Sequence, residues 1–235
     1  MTLDDIFLQL TYGELSQIKP GGLVGESVRE EDQRQVITHL NLALTELHKR
    51  FWLSSKELII RLYPHISTYT LDKRYAVSNK QSTYTPKYVI DSPYEPFNND
   101  LLKIEMVFNE CGECVPLNDR TDCKSIFTPQ WNSIQVPLPY DGATVLVQYR
   151  ADHERIEWEC DLDPTLVHVD IPAGLLEPLC LFIGHRAYRA LNSDGGQESM
   201  NYYQQFEAAC QKAVDMGLQV TANTTNMKLD KHGWV

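Results

Sequence analysis

Apolar residues near the start of the chain fall at Leu3, Ile6, Phe7 and Leu10, one face of a helix, with Thr2 placed to cap it and Asp4 and Asp5 in its first turn. Pro20-Gly21-Gly22 ends anything helical there. A longer stripe, Val36, Ile37, Leu40, Leu44, Leu47 and Phe51, recurs at steps of three and four and predicts a helix from Glu30 to Phe51, with Arg34, Gln35, Glu46 and Lys49 facing elsewhere.

The period then shortens to two. Runs rich in β-branched and aromatic residues predict strands over 57–62, 66–71, 103–108, 133–136 and 144–149, punctuated by prolines at 64, 86, 93, 96, 116, 129, 137 and 139. Helical spacing returns near Pro172, where Leu175, Leu176, Leu179, Ile183, Ala187, Tyr188 and Leu191 point towards a core. A last helix over about 197–216 carries Tyr203, Phe206, Cys210, Ala213 and Val214, with Gly217 as its C-cap and Asn192 to Gly196 as the tight connection before it.

Helices at both ends around a strand-rich middle predict an α+β fold: a helical bundle formed by N- and C-terminal helices, with an inserted antiparallel β domain and an extended C-terminal arm. The expected divisions are 1–55 and 166–218 for the bundle, 56–165 for the β domain and 219–235 for the arm. The arm is polar and without a durable period, so it cannot bury itself on its own subunit. Gln219, Val220, Met227, Leu229, Trp234 and Val235 are its candidate partner-binding residues.

Charge narrows the functions. Lys and Arg number 21 against 32 Asp and Glu, a net charge of −11, and no block of consecutive basic residues interrupts the acidity. Ordinary binding to a phosphate backbone is therefore not expected. The start lacks the basic and apolar regions of a signal peptide, and no apolar run reaches membrane-spanning length, so the expectation is a soluble protein made in the cytoplasm. Six cysteines, at 111, 114, 123, 160, 180 and 210, match no compact disulfide framework and read as free thiols, with Cys180 and Cys210 as small core residues.

Cys111-Gly112-Glu113-Cys114 is the sharpest chemical motif, because two thiolates at this spacing can share a zinc ion or form a redox pair. Cys123 and His153 could in principle complete a tetrahedral site, yet neither stands at a finger spacing, so a plain hairpin through Asn109 to Gly112 is the preferred reading. His39 and His48 share a helix nine positions apart, which is not ligand geometry. Glu154, Glu157, Glu159, Asp161 and Asp163 do not follow a calcium-loop pattern and read as a solvated acidic surface. Tyr69, Tyr75, Tyr84, Tyr88, Tyr94 and Phe97 read as core or subunit-contact groups, without the excess of basic residues that base stacking on a nucleic acid needs. With no phosphate loop, dinucleotide fingerprint or nucleophile elbow, the expectation is a non-enzymatic scaffold without cofactor or catalytic residues.

Tyr12-Gly13-Glu14-Leu15-Ser16, the run from His39 to Phe51, Ser125 to Gln130 leading to Ile134-Gln135-Val136-Pro137, and Ile171-Pro172 followed by Leu175 to Asn192 together resemble the head-to-tail adaptor proteins of tailed bacteriophages over nearly the whole chain. The resemblance implies a virion subunit at the head-tail junction. It would form a ring, usually twelve-fold, below the portal, and link the capsid vertex to tail, tail-tube or nozzle proteins. Genomic DNA would pass through that ring without specific binding. A stopper, tail-completion or decoration protein is the alternative within the virion, and a thiol- or zinc-dependent enzyme using Cys111 and Cys114 the alternative outside it.

Overall fold

The computed structural model describes residues 1–16, 28, 30–159, 162–190 and 195–218. The chain divides into two compact units, one of residues 1–51 with 154–235 and one of residues 52–153.

In the first unit, helix α1 (Leu3–Tyr12) starts on a reciprocal cap. The Thr2 hydroxyl accepts from the Asp5 N–H at 3.2 Å and the Thr2 N–H donates to the Asp5 carboxylate at 2.9 Å. Leu3, Ile6, Phe7 and Leu10 are buried, as their spacing requires. Helix α2 (Glu30–Arg50) buries Val36, Ile37, Leu40, Leu44 and Leu47, and Phe51 follows into the same core. A 3-10 turn, Ala173–Leu175, leads into α3 (Leu176–Ala190), and α4 (Gly195–Asp215) completes the set.

Helix α4 starts two residues before the predicted Gln197, because Gly195 and Gly196 lie inside its first turn. Leu191 and residues 192–194 of the predicted connection lie outside the described residues. Gly217 ends the helix with φ +94°, a left-handed conformation that glycine adopts without steric cost. Val214, expected inward, is exposed, since each residue turns about 100° round the axis and Ala213 takes the buried position.

Helix α3 contacts α1, α2 and α4. At Gly184 of this helix a Cβ would stand 3.1 Å from the Glu14 Cβ and 3.3 Å from the Tyr202 ring. A side chain here would push both neighbours back by a few tenths of an ångström.

Residues 154–169 run with the helices, whereas the sequence pattern places residues up to 165 in the β domain. Backbone pairing accounts for the difference. Leu3 N–H donates to the Val167 carbonyl and Val169 N–H to the Met1 carbonyl, both at 2.9 Å. The Asn41 side chain meanwhile holds both backbone groups of Ile156, at 2.9 Å and 3.0 Å.

The second unit carries strands β1 (Ser55–Arg61), β2 (Thr68–Thr70), β3 (Val89–Ile90), β4 (Leu101–Phe108), β5 (Cys114–Val115), β6 (Phe127–Gln130), β7 (Ser133–Gln135) and β8 (Thr144–Ala151). They form a five-stranded sheet in the order β3-β1-β8-β4-β5 and a three-stranded sheet β2-β7-β6, with antiparallel neighbours throughout. Period-two alternation sets the faces: Leu58 and Ile60 of β1 and Val145, Val147 and Tyr149 of β8 are buried, while Glu57, Ile59 and Arg61 are exposed. Val89, Leu101, Val107, Tyr69 and Ile134 complete the same core. Helices and antiparallel strands thus occupy separate stretches of chain, which is compatible with the α+β class.

Candidate interaction surface

Cys111, on the turn between β4 and β5, and Cys114, the first residue of β5, are exposed with free thiols. The Asn109 side-chain carbonyl shapes this turn by accepting from the Cys111 N–H at 3.0 Å and the Glu113 N–H at 2.9 Å. The arrangement is the hairpin that the sequence favours, closed by the pairing of Phe108 with Cys114. Cys123 is exposed on a separate loop, and the His153 ring lies 2.9 Å from its neighbour Asp152. Among the described residues no cluster of three His, Cys, Asp or Glu side chains could hold a metal ion.

The two core cysteines are chemically quiet. Burial pushes the Cys180 thiol far above its ordinary range and the Cys210 thiol up to about 11, so both stay protonated at neutral pH. Cys160 and Asp161 lie outside the described residues, as do Gln219, Val220, Met227, Leu229, Trp234 and Val235 of the expected arm. Among the described residues no helix is long and apolar enough to cross a membrane.

Among the described residues of the helical unit, Glu14 and His39 are partly buried and enclose side-chain atoms that have no hydrogen-bond partner. Glu14 holds its Oε2 out of solvent, and burial raises its pKa against the opposing bond from its own backbone. Both ring nitrogens of His39 are similarly enclosed, and burial followed by the charge of Arg186 lowers its pKa. The signs oppose each other. The raised Glu14 contributes stability that is complete below the ordinary carboxylate range and lost as pH rises through its folded value. The depressed His39 contributes stability present above its ordinary value of 6.5 and lost as pH falls. Thermal melts from pH 4 to pH 8 should therefore show Glu14→Gln gaining on the parent chain as pH rises. His39→Gln should lose less stability than the parent on acidification. Parallel curves for parent and variants would remove both groups from the pH response.

The tyrosines divide between core and surface. Tyr69 meets Tyr88 edge-on at 5.1 Å, Tyr88 stacks on Tyr75 at 4.7 Å, and Tyr75 meets Tyr84 edge-on at 5.6 Å. This chain of rings runs from the buried Tyr69 to the exposed Tyr84, over which the Arg74 guanidinium lies at 5.2 Å. Phe97 is core, as expected, and Tyr94 stands almost wholly in solvent.

Four basic residues around this chain, Lys73, Arg74, Lys80 and Lys87, are the feature that net charge conceals. From residue 73 to residue 90 the sequence has no Asp or Glu at all. A local charge count would have found the segment. The acidic residues singled out in the sequence lie elsewhere: Glu154, Glu157, Glu159 and Asp163 are exposed in the helical unit.

The family model described as SU10 adaptor protein matches residues 10–227, which takes in both units. The chain belongs to this family of phage head-to-tail adaptors. Membership makes it a structural component of the virion, associated with other virion proteins. None of the curated proteins, taken one by one, matches it.

Proposed function

We propose that the chain is the subunit of a homo-oligomeric ring, twelve-fold in the family's usual manner, that sits below the portal at the head-tail junction, joins the capsid vertex to tail proteins and lines the DNA exit channel. The observation that carries this reading is the family match across residues 10–227, because it spans helices and sheets together. In this reading the helices act as one bundle against the portal, while the sheet unit, the inserted domain of 52–153, meets neighbours or tail proteins. A chain with net charge −11 also suits a conduit, since an acidic wall offers phosphates no adhesive sites. No catalytic step is assigned to any residue.

In this reading the arm of residues 219–235 contributes through Gln219, Val220, Met227, Leu229, Trp234 and Val235, which bind a neighbouring virion subunit. Electron microscopy of the purified chain mixed with isolated portal tests the whole reading. A closed ring on the portal face is expected, and deletion of residues 219–235 should leave the chain folded while cutting ring occupancy. Binding to tail proteins without any affinity for portal would point instead to a stopper or tail-completion protein.

A further inference from the structure

Charge is divided unevenly between the two units. Residues 1–51 with 154–235 carry twenty carboxylate side chains against eleven Lys and Arg, whereas residues 52–153 carry twelve against ten. Within the second unit the segment 73–90 is the basic extreme, with four cations and no carboxylate.

Its fold keeps those cations together on the surface. Val77 N–H donates to the Val89 carbonyl at 2.9 Å, the Ser82 hydroxyl to the Arg74 carbonyl at 2.6 Å, and the Lys87 ammonium to the Asn79 carbonyl. The segment therefore doubles back on itself as one lobe. Flanking carboxylates are engaged locally: Asp72 holds the Arg74 N–H and guanidinium, and Asp91 takes Ser78 and the Phe97 N–H. Among the described residues no ion pair engages Lys73, Lys80 or Lys87.

The lobe is not a bare basic strip. Val77 is 49% exposed and Tyr84 46%, and Tyr84 is held from below by Tyr75 and from above by Arg74. A rigid tyrosine with arginine, an exposed aliphatic group and a lysine rim is the composition of a protein-binding patch. A duplex would find few free cations here, since Arg74 already serves Asp72 and Lys87 serves Asn79.

An acidic complement is present on the same chain. In the strap 154–159, Ile156 and Trp158 are half-buried while Glu154, Glu157 and Glu159 are exposed. Asn41 fixes the backbone at Ile156 and Arg34 lies 5.8 Å over the Trp158 ring, so the inward side of the strap is occupied and its carboxylates are presented outward. No ion pair among the described residues engages these three glutamates either.

We propose that the basic lobe around Arg74 and Tyr84 docks on the acidic strap 154–159 of a second copy of this chain. The contact rests on the ring reading above and gives it a specific subunit interface. Tyr84 and Val77 supply the apolar centre, and Lys73 and Lys80 meet Glu157 and Glu159 at the rim.

The test uses full-length chain assembled on isolated portal from equal parts of isotopically light and heavy protein. A zero-length carbodiimide, which joins a lysine amine to a carboxylate as an amide, should give mixed light-heavy peptides linking Lys73 or Lys80 to Glu157 or Glu159. Lys73→Glu with Lys80→Glu should weaken ring assembly about tenfold, and so should Glu157→Lys with Glu159→Lys; combining the four should restore it. Rings that form without those cross-links and ignore both reversals overturn the interface and leave the ring standing. Failure of the parent chain to form any ring on portal overturns both. Loss of low-salt binding to a labelled DNA duplex on lysine reversal, with rings unchanged, would reassign the lobe to nucleic acid.

Discussion

Phe206→Ala should cost about 3–5 kcal/mol of helical-unit stability, the range for emptying a fully buried aromatic site. Phe206 has no solvent exposure and stands where three helices meet. Phe182 of α3 meets it edge-on at 5.1 Å, and the Arg50 guanidinium of α2 lies 4.6 Å over its ring. Arg50 is itself gripped by Glu207 of α4 through two bonds of 2.8 Å and by Glu46 at 2.9 Å. Removing the ring therefore opens a cavity and also withdraws the surface on which this cation rests.

Urea unfolding followed by helical circular dichroism measures the effect, with tryptophan fluorescence as a second probe. The helical transition should move to lower urea by the full amount. With Trp158 and Trp234 of the other unit replaced by Phe, the remaining Trp52 and Trp131 stand in residues 52–153, whose core is made of that unit's own residues, so the transition they report should stay in place. Movement of both transitions together would mean that the two units unfold as one.

The elements of this chain were legible wherever one residue pattern sufficed. Thr2 with Asp5 fixed the start of α1, the stripe from Val36 to Leu47 fixed α2, and alternation fixed β1 and β8. Strand β3, two residues long, is too short to show a period, and Pro129 inside β6 masked another, whereas the return strand of the hairpin, expected through Val115 to Leu117, is β5 at Cys114–Val115. The partnership of β1 with β8, Ser55 opposite Arg150 through Arg61 opposite Thr144, was not legible because alternation says which face a residue takes and nothing of which strand lies beside it. The interaction surface was half legible. Net charge pointed to an acidic protein, and the same sum hid the lobe from 73 to 90, where basic residues stand without carboxylates.

Glu105→Ala should be the most damaging single change in the sheet unit, again about 3–5 kcal/mol, because it strips the carboxylate from a buried ion pair. Arg150 on β8 is 3% exposed and its guanidinium nitrogen meets Glu105 at 2.6 Å, with the Trp52 ring 5.6 Å away. The pairing register explains why these two meet. Ile104 lies opposite Tyr149 and Met106 opposite Gln148, so Glu105 is the extra residue of a bulge that re-aims its side chain. Replacing the pair together, Glu105→Leu with Arg150→Met, should recover most of the loss, since an apolar pair of similar volume avoids burying charge. Chemical denaturation followed by the fluorescence of Trp52, with the other three tryptophans replaced by Phe, distinguishes the cases. If the double substitution proves as harmful as Glu105→Ala, packing around the bulge, and not charge, fixes the centre of this sheet.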